Sequence, residues 1–209
     1  MITAKHKKLW ELFFVAYSRF YLKKLFYDVR YVSDIAQPPL NAVLLIANHF
    51  SFWDGFIQMH LSRKLFKKKV FIMMLKEQLL PRKFLRYGGC FSIDKGSRSV
   101  VESINYSRQL LYNPENMLLI FPQGKLESLY TSRFTFESGL KRIMTVSAEI
   151  DIYLNINLIN YYSNKKPTLT AYLKKVTDPS PETIEEQFNQ FAQECRQLEE
   201  SPKPKGEKL

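Results

Sequence analysis

A short apolar run, a polar turn and an aromatic segment follow one another in residues 42–54, which read AVLLIANHFSFWD. The run over residues 42–47 contains no polar side chain, as a strand buried on both faces of a sheet requires. The turn then carries His49, and residues 52–61 have the composition of a helix. A buried strand followed at once by a helix predicts the start of an α/β domain.

The same alternation continues along the chain. Further strands are predicted over residues 70–75, 90–93, 117–121, 150–159 and 168–173. Helices are predicted over residues 99–112 and, near the end of the chain, after Ser180, where apolar side chains recur every three or four positions. This order predicts a single α/β domain with a largely parallel central sheet flanked by helices.

The N-terminal segment has a different character. Residues 7–27 read KKLWELFFVAYSRFYLKKLFY, and they predict an amphipathic helix with a basic strip beside bulky aromatic side chains. Such a composition is typical of a helix that lies in a bilayer interface, although packing on its own domain is the alternative. We therefore divide the chain into an interfacial helix (1–30), a globular domain (31–200) and a disordered tail (201–209).

Composition excludes several classes of protein. The 209 residues are 45% hydrophobic and 24% charged, which is an ordinary globular balance. We find no apolar run near the roughly 20 residues that a spanning helix needs, and no export signal. The two cysteines, Cys90 and Cys195, fit a reducing compartment, and the spacing of cysteines and histidines predicts neither a metal site nor a bound cofactor.

The net charge of +11 is concentrated in two blocks. Residues 1–30 hold seven basic and two acidic side chains, and residues 61–100 hold eleven and two. Such blocks attract phosphate, whether it belongs to nucleic acid, to anionic lipid or to a phosphorylated small molecule.

The turn after the first buried strand offers a candidate catalytic pair, His49 and Asp54. Ligands of open α/β sheets gather beyond the carboxyl ends of the strands, which is where His49 lies. With Ser51 as the cap of the next helix, Asp54 would meet His49 across the turn. A carboxylate on one imidazole nitrogen lets the other take a proton from an alcohol. The alternative is that Asp54 only stabilises the helix N-terminus and His49 is a turn residue.

Two further loops could bind a ligand. Phe121, Pro122, Gln123, Gly124 and Lys125 follow a buried strand; the glycine lets the backbone approach a ligand and the lysine adds a positive charge. Residues 88–98 join a tight turn, a short strand and a basic loop that carries Lys95 and Arg98. Taken singly, the first is also a plain turn and the second a solvated basic loop.

Together these blocks have the order N-H-x-x-x-x-D, G-x-F-x-I-D-K, F-P-x-G and E-S-G. Over residues 40–160 this order resembles the glycerolipid acyltransferase superfamily, of the 1-acylglycerol-3-phosphate O-acyltransferase type. The resemblance implies that His49 is the general base for the acceptor hydroxyl and that Asp54 orients it. It also implies that residues 31–200 are an acyltransferase domain, with substrate-binding residues at Lys95, Arg98, Phe121, Pro122, Gln123, Gly124 and Lys125.

The chain departs from the family pattern where that pattern binds phosphate. Lys95 stands for an arginine, Gln123 for a glutamate and Leu126 for a second arginine, while residues 153–157 lack the proline of the fourth block. A lysine cannot form the two-pronged contact that arginine makes with phosphate, and leucine carries no charge. Acyl transfer is therefore expected, with 1-acylglycerol-3-phosphate as the default acceptor and a lyso-aminolipid or glycolipid as the alternative.

The resemblance implies a peripheral enzyme of phospholipid biosynthesis on the cytoplasmic face of a membrane. Its partners would be membrane lipids, a lyso-lipid and acyl-CoA or acyl-carrier protein as co-substrate, with no nucleic acid. We expect Phe50, Phe52 and Trp53 to line the acyl groove, and the backbone at Gly124 to stabilise the oxyanion. A non-catalytic basic module that binds anionic membrane or RNA remains open on composition alone, as does an inactive family member.

Overall fold

One eight-stranded sheet organises the chain in a computed structural model, which describes residues 1–95 and 99–209. Its strands are β1 (Asp28–Ser33), β2 (Ala42–Ala47), β3 (Lys69–Leu75), β4 (Cys90–Ile93), β5 (Asn116–Ile120), β6 (Ile150–Asn160), β7 (Thr168–Lys175) and β8 (Glu207–Lys208). The spatial order is β4-β3-β5-β2-β6-β7-β1-β8. The first five run parallel, whereas β7 is antiparallel to β6 and β8 is antiparallel to β1. The predicted α/β fold with a largely parallel sheet is confirmed.

Helices cover both faces of the sheet. They are α1 (Lys8–Leu25), α2 (Asp54–Leu61), α3 (Lys76–Leu79), α4 (Ser99–Leu110), α5 (Gly139–Met144) and α6 (Ile184–Glu199), with a π-helical turn at Ser62–Phe66 and a 3-10 segment at Leu80–Gly88. Strand β2 shows why there are two layers: Leu44 and Ile46 pack with α4, α5 and α6, while Val43 and Leu45 pack with α1 and α2. Every residue of β2 is buried, as its unbroken apolar sequence predicted.

Helix α1 packs through one side and exposes the other. Phe14, Ser18 and Leu22 are buried, whereas Leu9 and Phe20 are 79% and 63% exposed. Before α1, the backbone N–H of Ser92 on β4 donates to the carbonyl of Ile2, and the N–H groups of Lys5 and Lys7 donate to the 3-10 segment. The helix predicted over residues 7–27 is observed over Lys8–Leu25. Among the described residues, none of the helices combines the length and apolar composition that crossing a bilayer would need.

The chain differs from the sequence prediction at one edge of the sheet, where β1 and β8 lie side by side. Strand β1 was missed; its sequence DVRYVS is polar and only half-buried, so it lacks the apolar run that marked the central strands. Where the sequence led us to expect a disordered tail over residues 201–209, the structure places β8 against Arg30 and Tyr31. The hydroxyl of Tyr31 donates to the Glu207 carboxylate at 2.5 Å.

A buried polar network ties the end of β2 to its neighbours. Asn155 on β6 accepts hydrogen bonds from the side-chain amides of Gln58 and Asn157, and donates to the carbonyl of Tyr172 at 3.0 Å. Asn48, directly after β2, accepts from the backbone N–H of Asn157 at 2.8 Å. All four amide side chains are at most 2% exposed. The network fixes the residue that precedes His49.

Replacing Asn155 by leucine is predicted to destabilise the fold. The change leaves two buried donors and one carbonyl without their partner, which costs about 1–3 kcal/mol for each group that finds no other. The free energy of unfolding, measured by urea denaturation, should fall by roughly 2 kcal/mol or more. Asn105→Leu, on the exposed side of α4, is the control and should change it by less than about 0.5 kcal/mol. Equal stability of both variants would show that the network contributes little.

Candidate active site

The predicted site residues converge because the parallel strands end at one edge of the sheet. His49 follows β2, Lys95 follows β4, and residues 121–125 follow β5. In the order β4-β3-β5-β2 these strands are near neighbours and point the same way. The structure thus brings together segments that are up to about 75 residues apart in the sequence. Arg98 lies outside the described residues.

His49 and Asp54 are in direct contact across the turn. The Nδ1 atom of His49 lies 2.8 Å from Oδ2 of Asp54, and the same oxygen accepts the backbone N–H groups of Phe50 and Ser51 at 2.7 and 2.9 Å. Asp54 is fully buried, while the His49 side chain is 24% exposed. Because an ionised carboxylate only accepts, it holds the proton on Nδ1 and leaves the lone pair on Nε2.

The contact between His49 and Asp54 does not depend on Ser51 as a helix cap, although the sequence had led us to expect that it would. Ser51 does not cap α2, which begins at Asp54 with no side-chain cap. Instead the Ser51 hydroxyl donates to Asp54 Oδ1 at 2.9 Å and accepts the N–H of Trp53 at 3.1 Å. The prediction of Ser51 as the cap was wrong because its hydroxyl is used within the turn, by Asp54 and by the N–H of Trp53, and accepts from no N–H group of α2.

The histidine ring is also held from the β5 side. It stacks on Phe121 with ring centroids 4.2 Å apart and an interplanar angle of 16°. The carbonyl of His49 accepts the backbone N–H of Glu127 at 2.8 Å. These contacts join the first and third sequence blocks and restrict the ring to one orientation. Its role in proton transfer is a chemical expectation that the geometry allows.

Glycine at position 124 is required by the loop after β5. Its φ is +64°, and an added Cβ would lie 2.5 Å from the ammonium nitrogen of Lys95. That ammonium donates to the Gly124 carbonyl at 3.1 Å, while the N–H of Gly124 donates to the Phe121 carbonyl at 3.2 Å. The turn thus already uses the N–H of Gly124, and the expectation that the backbone around Gly124 stabilises an oxyanion stays a prediction.

Both predicted lysines of the site have acidic partners. Lys95 lies 2.7 Å from a carboxylate oxygen of Glu137, and Lys125 lies 3.3 Å from one of Glu127. Neither glutamate was predicted to meet its lysine, since only the fold brings Glu137 beside Lys95. Gln123 is 3% exposed, and neither polar atom of its side-chain amide has a hydrogen-bond partner among the described residues.

A cavity of about 460 Å³ opens beside His49. Its walls are mostly apolar and come from both faces of the sheet: Phe14, Phe56, Met59, Ile72, Leu85 and Leu140. Pro122, Gly124 and Lys125 of the β5 loop also line it. Of the three aromatic residues that we expected there, only Phe52 does; Phe50 and Trp53 pack against the core on the α1–α2 side. A long apolar chain could therefore lie next to the imidazole.

Comparisons with known proteins agree with this architecture. The crystal structure of the 1-acyl-sn-glycerophosphate (LPA) acyltransferase PlsC from Thermotoga maritima superposes with a TM-score of 0.56. The match covers 90% of this chain and 78% of that one at 16% sequence identity, so the two share a fold. No curated protein sequence matches the chain significantly.

The family model for acyltransferases matches residues 29–154, which include the strands β1 to β5, the His49–Asp54 turn and the loop after β5. This match extends over more than half of the chain, and it covers the whole edge of the sheet at which the site is built. The chain therefore belongs to the acyltransferase family, and the protein is an acyltransferase.

Proposed function

We propose that the protein transfers a fatty acyl group from an acyl thioester, acyl-CoA or acyl-carrier protein, to the hydroxyl of a lyso-lipid. The observation that carries this proposal is the His49–Asp54 pair at the edge of an apolar cavity. A non-catalytic basic module for RNA or anionic lipid would need neither the buried carboxylate nor the cavity. The cavity offers the acyl chain an apolar environment, and the pair offers the acceptor a base.

In the proposed reaction, Nε2 of His49 removes the proton from the acceptor hydroxyl. The oxygen then forms a bond to the thioester carbonyl carbon, and the carbonyl becomes a tetrahedral oxyanion. When the oxyanion collapses, the carbon–sulfur bond breaks and the departing thiolate takes the proton from the His49 imidazolium. Asp54 stabilises that imidazolium and keeps the ring in place. The products are an ester and a free thiol, so no covalent enzyme intermediate is needed.

The default acceptor is 1-acylglycerol-3-phosphate, because the PlsC whose fold this chain shares is an acyltransferase for 1-acyl-sn-glycerophosphate. One observation favours a lyso-aminolipid or glycolipid instead: Lys95 and Lys125 are both engaged by glutamates. Competition distinguishes the two, because glycerol 3-phosphate at millimolar concentration should inhibit an enzyme that binds a phosphomonoester. Indifference to it would favour the alternative acceptor.

We further propose that the enzyme binds the membrane peripherally through α1, as a phospholipid-synthesis enzyme on the cytoplasmic face would. The outer side of α1 exposes Leu9, Leu12, Phe13 and Phe20, each by at least half. Because Phe14 of the same helix lines the cavity, a lipid surface on α1 would lie near the cavity. The basic side chains of residues 1–30 would meet anionic headgroups there.

Activity should depend on His49. With acyl-CoA or acyl-carrier protein and a panel of lyso-lipids in mixed micelles, mass spectrometry should detect the acylated product. His49→Ala should lower kcat by about 10²–10⁴-fold, because the acceptor loses its general base. His60→Ala, a second half-buried histidine outside this cavity, is the matched control and should keep near-wild-type turnover. Unchanged turnover in His49→Ala would contradict the proposed mechanism.

Membrane binding should depend on the exposed side of α1. The double variant Leu9→Ser/Phe20→Ser should bind anionic vesicles at least about tenfold more weakly, since burying each side chain contributes roughly 1.5–3 kcal/mol. The control Leu40→Ser/Tyr112→Ser changes side chains that are 89% and 58% exposed elsewhere. Vesicle co-sedimentation measures both. Equal loss in the two double variants, or no loss in either, would argue against α1 as the docking surface.

A further inference from the structure

Three basic side chains line the cavity beside His49: Arg82, Lys95 and Lys125. Each of the two lysines lies within 3.3 Å of a glutamate carboxylate and so already has an acidic partner. Arg82 has no carboxylate within ion-pair distance among the described residues. Among the described residues that line the cavity, Arg82 is therefore the basic side chain without an acidic partner. It lies outside the four sequence blocks.

The backbone presents Arg82 to the cavity. The helical path from α3 through residues 80–88 is interrupted at Arg82, whose φ and ψ are −125° and 40°. One of its terminal nitrogens donates to the carbonyl of Gln78 at 3.2 Å, and its guanidinium lies 5.5 Å from the ring centroid of Phe52. These contacts use one hydrogen bond and one face of the group. Among the residues that the structure describes, the other N–H donors of Arg82 have no partner, so they are open to a ligand.

Phe52 links this arginine to the catalytic turn. It follows His49 by three residues and lines the same cavity, and the Arg82 guanidinium lies over its ring. Stacking on an aromatic ring restricts a guanidinium while leaving its edge free for hydrogen bonds. An arginine held in this way is suited to two parallel hydrogen bonds with a phosphate.

We propose that Arg82 binds a phosphate group of the substrate in this cavity, in place of the family arginine that is absent at Leu126. The inference rests on the proposed function, because it assumes that an acyl donor and a lyso-lipid meet at His49. The phosphate can belong to the acceptor, as the phosphomonoester of 1-acylglycerol-3-phosphate, or to the phosphate-bearing part of the donor. In both cases the ligand chemistry is a phosphate oxyanion recognised by a guanidinium.

Calorimetric titration separates the two sources without requiring turnover. Glycerol 3-phosphate serves as the acceptor probe and coenzyme A as the donor probe, each added to the full-length protein at up to millimolar concentration. Arg82→Gln should weaken binding of one of these probes by about tenfold or more, since a charged hydrogen-bond pair is lost. Arg82→Lys should bind that probe with an affinity between those of Arg82→Gln and the wild type, because lysine keeps the positive charge but cannot donate two parallel hydrogen bonds.

Lys83→Gln is the matched control, because Lys83 is the exposed neighbour of Arg82 and does not line the cavity. It should bind both probes as the wild type does. Wild-type affinity of Arg82→Gln for both probes would overturn the proposal, as would a wild-type protein that binds neither probe. Failure of the proposed function is separate: it would appear as unchanged acyl transfer in His49→Ala, whatever the calorimetry shows.

Discussion

The buried carboxylate of Asp54 is the constraint on which the candidate site at the edge of the sheet depends. Four hydrogen bonds converge on it, from the His49 ring, two backbone N–H groups and the Ser51 hydroxyl. A charge without water is tolerated only where such donors surround it. Its position as the first residue of α2 adds the favourable field of a helix N-terminus. The same contacts therefore shape the turn and favour the imidazole tautomer that carries its proton on Nδ1.

The surrounding sheet keeps that turn in place. Strand β2 is central, with β5 on one side and β6 on the other, so the turn that follows it cannot shift without breaking both ladders. Asn48 is fixed to β6 by the buried amide network, and His49 is fixed to the β5 loop by Phe121 and Glu127. The fourth sequence block lacks the proline of the family pattern, and Asn155 and Asn157 lie in that block here. These asparagines bind the turn by hydrogen bonds.

How far the sequence predicted the structure depended on the range of the interactions. Strand β2 was predicted at its observed bounds, because a continuous apolar run between turn residues needs no tertiary information; the short strand β4, which follows a Gly-Gly turn, was also predicted at its bounds. Strand β1 was missed because its half-buried polar residues take their strand conformation from pairing with β7, 140 residues away. In the site, His49 and Asp54 share one turn, so their contact followed from spacing. The pairing of Lys95 with Glu137 and the stacking of Arg82 on Phe52 depend on the assembled fold.

The proposed chemistry requires a His49 imidazole whose Nδ1 carries the proton and whose Nε2 is free to accept one. The most direct test is nitrogen-15 NMR of the His49 ring in the resting protein, at a pH where the imidazole is neutral. Nδ1 should give the signal of a protonated ring nitrogen and Nε2 that of an unprotonated one, and Asp54→Asn should disturb this assignment. A proton found on Nε2 in the wild-type protein would contradict the account, because Nε2 could then not act as the base.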